Sequence, residues 1–183
     1  MNLPNKLTMA RVIMIPVFMA VMLQNYYLAA LIVFCVAAIT DFFDGYLARK
    51  NNMVSSFGKI MDPLADKLLV FSALLCFIQM DITDVWAPVI IIAREFFVTS
   101  MRVVAVSKGK VIAASWWGKI KTNVQLFAII GSMALLVASG LEWLELKDAY
   151  FWSDILIWAS ALFTVASWIA YIFENISVFK DEK

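Results

Sequence analysis

Six long apolar stretches dominate this sequence and restrict it to a helical membrane fold. They cover residues of about 12–24, 27–47, 63–80, 85–106, 118–139 and 150–173. Most approach the ~20 apolar residues that an α-helix needs to cross the hydrocarbon core of a bilayer. The hydrophobic fraction is 63% and the charged fraction 16%, against roughly 45–50% and 25% in average globular proteins. The sequence therefore predicts an all-α, polytopic membrane protein, in which residues 1–183 form one domain built as a bundle of six transmembrane helices.

The distribution of Lys and Arg predicts which ends of these helices face the cytoplasm. Of the 15 Lys and Arg residues, all but Arg94 and Lys147 fall near the two termini or near the connections on the same side as the termini. Cytoplasmic segments of membrane proteins carry an excess of Lys and Arg. We therefore expect a multi-pass protein of the cell membrane with both termini in the cytoplasm.

The composition excludes several classes of function. The formal net charge is +1, so there is no basic field of the kind that nucleic-acid-binding proteins use. The sequence contains no His, which excludes the Ser-His-Asp triad and most zinc sites. Acid–base or metal chemistry must therefore come from Asp, Glu or Lys.

Four aspartates lie toward the cytoplasmic end of the hairpin that the second and third apolar stretches predict. Asp41 and Asp44 are three residues apart, and Asp62 and Asp66 are four apart, so each pair shares one face of a helix. Facing pairs of carboxylates repel each other unless a cation lies between them. In the absence of His, an all-oxygen site indicates a hard cation, namely Mg²⁺, Mn²⁺ or Ca²⁺.

A structural role for the aspartates is the alternative. Asp62 precedes Pro63 and suits the N-cap of a helix, since Pro is favoured in the first helical turn. Other carboxylates could pair with neighbouring Lys and Arg side chains. Neither role explains Asp41 and Asp44 together inside an apolar stretch, where an unpaired carboxylate costs about 2.5 kcal/mol or more. We therefore favour a functional site.

The segment from Asp41 to Asp66 resembles the signature of the CDP-alcohol phosphotransferase family. This sequence fills each defining position of that signature at the expected spacing: Asp41, Asp44, Gly45, Ala48, Arg49, Gly58, Asp62 and Asp66. A pattern with that many fixed positions is far more specific than a lone glycine motif. The resemblance also implies a six-helix fold and a homodimer.

The resemblance implies a role for each matching residue. Two divalent ions, Mg²⁺ or Mn²⁺, would be held by the four aspartates, and Asp66 would also deprotonate the acceptor hydroxyl. A nucleotide-binding group would comprise Asn5, Thr8, Gly45, Ala48, Arg49 and Gly58. Taken alone, the local sequence favours capping of the first helix for Asn5 and Thr8, and it suits Gly58 equally to an ordinary turn between the second and third helices.

Three further stretches resemble the branch of this family that joins CDP-diacylglycerol to sn-glycerol 3-phosphate. They are residues 2–11, 93–102 and 118–125. The resemblance implies transfer of a phosphatidyl group to that acceptor, with CMP released. The alternatives within the family are inositol phosphate, serine or phosphatidylglycerol as the acceptor.

Basic residues near the cytoplasmic side are candidates for binding the acceptor phosphate, because a dianion needs fixed cations. Arg102, Lys119 and Lys121 lie near the inner ends of the fourth and fifth stretches. For these three, contact with anionic lipid headgroups is the alternative. Arg94 lies deeper, where an unpaired charge is costly, so we also predict a role for it. Adjacent helix residues do not face each other, and we therefore expect Glu95 to be a poor partner for Arg94.

A cation-binding membrane transporter is the alternative from another class of protein. Transporters place such residues near the membrane midplane at broken helices, often within inverted repeats. Here the aspartates gather toward one end and the sequence contains no evident repeat. An enzyme is therefore the favoured interpretation.

Overall fold

The fold is described from a computed structural model that covers residues 3–50, 56–107, 109 and 116–175. At residues 3–7, 41–50, 56–60, 62 and 63 the description extends to the helical backbone alone. The covered residues form six α-helices and no β-strand: α1 (Leu3–Leu23), α2 (Tyr27–Lys50), α3 (Ser56–Gln79), α4 (Trp86–Ser107), α5 (Trp116–Gly140) and α6 (Leu146–Glu174). The predictions of an all-α fold and of six helices are confirmed.

Tight turns join α1 to α2, α3 to α4 and α5 to α6. Each contains one residue with positive φ: Asn25 at 63°, Asp81 at 56° and Glu142 at 61°. Asn and Asp are among the non-glycine residues that tolerate this left-handed region best. At the start of α4, Oδ1 of Asp84 accepts a hydrogen bond from the backbone N–H of Trp86 at 2.9 Å, which is the role of an N-cap. These turns bring α1 against α2 and α5 against α6.

The apolar core lies where the helices converge. Large side chains from five helices are fully buried there: Phe18 of α1, Phe34 of α2, Phe77 of α3, Met133 of α5 and Ile157 of α6. The rings of Phe18 and Phe34 pack with their centroids 5.6 Å apart. Helix α4 packs mainly on α6, through a separate apolar cluster.

The outer surface of the bundle is also apolar. Large hydrophobic side chains are more than half exposed on most helices, for example Ile13, Ile32, Val103, Phe127 and Leu162. Soluble monomers rarely expose apolar patches of this extent. By length and composition, α5 and α6 can each cross a membrane, and the apolar parts of α1 and α2 are shorter. The protein therefore has the surface of a membrane protein.

Helix α1 begins well before the first apolar stretch. It starts at Leu3 and not near residue 12, so Asn5 and Thr8 lie within the helix. The interpretation of these two residues as helix caps is therefore wrong. The side chain of Thr8 is completely buried, as expected of a helix that continues as part of the bundle.

Helix α3 likewise begins before its apolar stretch. It starts at Ser56, which places Gly58 in its first turn and Asp62 and Pro63 in its interior. Asp62 is therefore not an N-cap, and Gly58 is not in the connection between the two helices. Both residues belong to the helix that carries Asp66.

Candidate active site

The four aspartates lie on two helices that contact each other. Asp41 and Asp44 are on α2, and Asp62 and Asp66 are on α3. Because both segments are helical, the spacing within each pair places both residues on one face of the helix. The side chains of Asp41, Asp44 and Asp62 lie outside the described atoms, and the side chain of Asp66 is exposed. The predicted four-aspartate metal site therefore stays a prediction.

The other signature residues occupy the same hairpin. Gly45, Ala48 and Arg49 lie in the last turns of α2, which ends at Lys50. Gly58 follows in the first turn of α3. Their side-chain surroundings lie outside the description, so the predicted nucleotide site rests on the positions of these residues along the two helices.

A cavity of about 350 Å³ opens beside Asp66. This volume lies at the lower end of the range usual for small-molecule sites, roughly 300–1,000 Å³. Residues from α2, α3, α4 and α5 line it. One part of its wall is polar, with Asp66, Lys67, Glu95, Lys121 and Gln125. The rest is apolar and includes Phe34, Val70, Phe71 and Leu126.

A buried ion pair forms part of the polar wall. The ammonium of Lys121 donates to Oε1 of Glu95 at 2.5 Å, although only 2% of the Lys121 side chain is exposed. The same ammonium donates to Oε1 of Gln125, one helical turn further along α5. Glu95 is on α4, so this pair joins α4 to α5 beside the cavity.

Arg94 extends this network away from the cavity. Its Nη1 donates to Oε1 of Glu95 at 3.2 Å, and its Nη2 donates to the Ser167 hydroxyl on α6 at 3.2 Å. The expectation that Glu95 is a poor partner for Arg94 is therefore wrong. Adjacent side chains leave a helix in different directions, but the long guanidinium arm bends back to the carboxylate.

A second set of hydrogen bonds joins α3 to α4. The Lys67 ammonium donates to the Thr99 hydroxyl, and that hydroxyl donates to the backbone carbonyl of Glu95 at 2.7 Å. Lys67 is also close enough to Glu95 and Lys121 to interact with both electrostatically. Four residues of the polar wall, Lys67, Glu95, Lys121 and Gln125, thus belong to one connected network across three helices.

The structure separates the four basic residues that the sequence suggested for the acceptor phosphate. Lys121 lines the cavity, and Arg94 lies behind it, tied to Glu95. Arg102 is half-buried and Lys119 is exposed; neither is among the residues that line this cavity. The four residues therefore do not form one cluster.

Sequence reasoning missed Glu95, Thr99 and Gln125 as members of the polar network beside the cavity. Gln125 follows Lys121 at the spacing at which helix residues interact, and Glu95 is a charged residue in an apolar stretch, which alone indicates a functional candidate. Both signals were available in the sequence. Thr99 carried none, because hydroxyl side chains are ordinary in membrane helices.

Comparison with known proteins identifies similar sequences along almost the whole chain. The family profile described as CDP-alcohol phosphatidyltransferase matches residues 1–169. The chain is 41% identical to the CDP-diacylglycerol–glycerol-3-phosphate 3-phosphatidyltransferase of Bacillus subtilis (strain 168), over 98% of this chain and 97% of the relative. It is 37% identical to the Rickettsia felis protein of the same name, over 93% of both. It is 38% identical to a probable phosphatidylglycerophosphate synthase of Mycobacterium tuberculosis, over 93% of this chain and 80% of the relative.

Proposed function

The chain belongs to the CDP-alcohol phosphatidyltransferase family, and we propose that it transfers the phosphatidyl group of CDP-diacylglycerol to sn-glycerol 3-phosphate. The products are phosphatidylglycerophosphate and CMP. Relatives that match it over nearly their full length carry the name of this activity. The proposal therefore extends the relatives' reaction to this chain.

The cavity beside Asp66 is the observation that carries the proposal. Lys67 and Lys121 in the wall and Arg94 behind it contribute three positive charges, and Asp66 and Glu95 contribute two negative charges, leaving a net charge of +1 around the cavity. A phosphate monoester carries about −1.5 to −2 near pH 7. The polar wall thus matches the charge of a phosphorylated alcohol better than that of serine, which has no net charge.

The reaction requires one carboxylate at the acceptor hydroxyl, and Asp66 is the candidate because it lines the same cavity as Lys121. The hydroxyl oxygen attacks the phosphorus that carries the diacylglycerol, and the hydroxyl proton passes to the Asp66 carboxylate. The bond from that phosphorus to the CMP oxygen breaks, and CMP leaves with the electron pair. Lys121 binds the distant phosphate of the acceptor and so orients the hydroxyl.

We assign two divalent ions, Mg²⁺ or Mn²⁺, to Asp41, Asp44, Asp62 and Asp66. Carboxylate oxygens are the ligands these ions prefer, and the helical backbone of α2 and α3 suits each pair to one face. When bound, such ions neutralise the pyrophosphate and stabilise the charge that develops on the leaving group.

The cytidine nucleotide is assigned to the N-terminal part of α1 and the hairpin of α2 and α3. Its binding group consists of Asn5, Thr8, Gly45, Ala48, Arg49 and Gly58. Within it, the guanidinium of Arg49 is suited to a phosphate, and Gly45 leaves room for the nucleotide to approach the backbone of α2.

In the cell membrane, we expect all six helices to span the bilayer, with both termini and the active site on the cytoplasmic side. The exposed apolar side chains on most helices and the Lys and Arg distribution support this orientation. The lipid tails of the donor then stay in the bilayer while its headgroup meets the water-soluble acceptor. Residues 1–183 form one domain, and the domain is expected to pair as a homodimer.

An acceptor assay tests the proposal. The full chain, purified in detergent, is supplied with CDP-diacylglycerol, Mg²⁺ and one alcohol at a time, and CMP release is measured. We expect CMP with sn-glycerol 3-phosphate and none above background with serine, inositol phosphate or phosphatidylglycerol. CMP release with inositol phosphate alone would overturn the acceptor while keeping the reaction class. Failure to release CMP with any of the alcohols would overturn both the acceptor and the reaction class.

A further inference from the structure

Glu95 is the residue on which the polar wall of the cavity converges. A single oxygen, Oε1, accepts hydrogen bonds from Nζ of Lys121 at 2.5 Å and from Nη1 of Arg94 at 3.2 Å. Its backbone carbonyl accepts the hydroxyl of Thr99, which in turn accepts the ammonium of Lys67. Three cations from three helices are therefore arranged around one glutamate.

We propose that Glu95 is a positioning residue of the acceptor site, whose carboxylate holds the Lys121 ammonium at the cavity wall so that it can bind the acceptor phosphate. The inference rests on the proposed function above, because it assumes a phosphorylated acceptor in this cavity. Glu95 itself acts through Lys121 and contacts neither the reacting phosphorus nor the attacking hydroxyl.

Burial makes the counter-charge necessary. Lys121 is 2% exposed and Arg94 is 5% exposed, so water stabilises both charges poorly. A buried cation that loses its partner is strongly unfavourable, and Arg94 and Lys121 would also repel each other. Loss of the Glu95 carboxylate therefore favours movement of Lys121 out of the wall or loss of its charge, and either change weakens its contact with the acceptor phosphate.

The remaining partner of Lys121 cannot replace the carboxylate. Gln125 supplies one amide oxygen to the ammonium, but a neutral amide orients a cation without neutralising it. Hydrogen bonds with a charged acceptor are roughly twice as strong as those with a neutral one. The position of Lys121 in the wall therefore depends on Glu95 more than on Gln125.

Steady-state kinetics of Glu95→Ala and Glu95→Gln in the full chain tests the inference. We expect Glu95→Ala to raise the KM for sn-glycerol 3-phosphate by roughly 10- to 100-fold, and Glu95→Gln, which keeps an oxygen acceptor, by roughly fivefold. The KM for CDP-diacylglycerol should stay within about twofold of the original value in both. Glu145→Ala is the matched control, because Glu145 is exposed beside α6, and its side chain makes no capping hydrogen bond; it should change neither KM.

A double-mutant cycle separates a role through Lys121 from a general structural role. If Glu95 acts by holding Lys121, the KM for sn-glycerol 3-phosphate of Glu95→Ala/Lys121→Gln should equal that of Lys121→Gln within about threefold. If the two residues act independently, the two increases should multiply. Multiplied increases would overturn the inference.

The outcomes distinguish this inference from the proposed function. A higher acceptor KM in Lys121→Gln, with unchanged values in both Glu95 variants, overturns the inference alone. Failure of the wild-type protein to form CMP from sn-glycerol 3-phosphate overturns the proposed function. If Glu95→Ala does not elute as a folded protein on size exclusion, the isosteric Glu95→Gln decides: an acceptor KM equal to that of the original protein contradicts the role of Glu95.

Discussion

The interface of α5 with α6 and the wall of the cavity both bury polar side chains, but they do so in different ways. Between α5 and α6 the buried groups are neutral hydroxyls. Ser132 donates to the carbonyl of Ala128 in its own helix at 2.8 Å. It also approaches the carbonyl of Ser153 across the interface at 3.5 Å, and Ser153 approaches the carbonyl of Ser132 at 3.4 Å. These small side chains let the two helices pack closely.

The cavity wall instead buries full charges and leaves a cavity of about 350 Å³ beside them. Lys121 and Arg94 each form an ion pair with Glu95 across two helices. Such an arrangement is weak evidence for stability, because desolvation of the ions offsets most of their attraction. The comparison suggests that changes at the α5–α6 interface alter stability alone, while changes at the cavity also alter the kinetics.

Removal of divalent metal should give the largest effect. It tests the part of the comparison that links the cavity region to catalysis. Without these ions the pyrophosphate charge is not neutralised, so we expect CMP release to fall to background after dialysis against EDTA. Addition of Mg²⁺ or Mn²⁺ should restore it, which controls for damage by the chelator. Full activity in EDTA would contradict the metal assignment to the four aspartates.

Asp66→Asn should give the next largest effect. Loss of a general base costs about 10²- to 10⁴-fold in rate, so we expect kcat to fall within that range while CDP-diacylglycerol still binds and thermal stability changes little. CMP release and nucleotide binding measure this. Asp148→Asn, an exposed aspartate at the start of α6, is the matched control and should keep full activity. If Asp66→Asn keeps full activity with binding intact, another group is the base.

Gly131→Leu should lower stability at the α5–α6 interface and leave the kinetics unchanged. A Cβ on Gly131 would lie 3.2 Å from Cδ1 of Leu156 on α6, so a leucine there must displace the Leu156 side chain or push the two helices apart. Overpacking of this kind costs about 1–3 kcal/mol. We expect a lower thermal-unfolding midpoint in detergent with both KM values unchanged. Ala166→Leu, at an exposed position of α6, should leave the midpoint in place. A changed acceptor KM in Gly131→Leu would show that the two regions are not separate.

Ser153→Ala should give the smallest effect. The cross-helix contacts of this hydroxyl are long, and hydrogen bonds between membrane helices contribute about 0.6 kcal/mol on average. We therefore expect a loss of about that size in the free energy of unfolding, measured by denaturation in mixed micelles. The exposed Ser100→Ala should cause less. A loss several times larger would mean that polar contacts dominate this interface as well.

The sequence predicted the number and order of the helices but not where they begin. Apolar residues mark the part of a helix that meets lipid, and each apolar stretch ends where polar residues start. The backbone needs no apolar residue to remain helical, so α1 continues back to Leu3 and α3 to Ser56. Pro63 contributed to the wrong start predicted for α3, because Pro is favoured in the first turn of a helix. Here Pro63 lies within the helix instead.

The sequence predicted which residues of the candidate site share a helix face, but not which residues pair between helices. The shared face of Asp62 and Asp66 follows from spacing within one helix, which sequence alone supplies. The pair of Glu95 with Lys121 joins α4 to α5, and it depends on how far each helix is rotated and shifted against the other. Nothing in the spacing of these residues sets that rotation, so the pair emerged from the structure.

The hydrogen-bonded wall on α4 and α5 also has a consequence for how the acceptor specificity of such a protein can evolve. Asp66 lies on α3, whereas Glu95 and Lys121 lie on α4 and α5. Substitutions in the latter two helices can reshape what the cavity accepts while the residues of the hairpin stay as they are. A gene duplicate could therefore acquire a new acceptor through a few changes on α4 and α5, and inherit the chemistry intact.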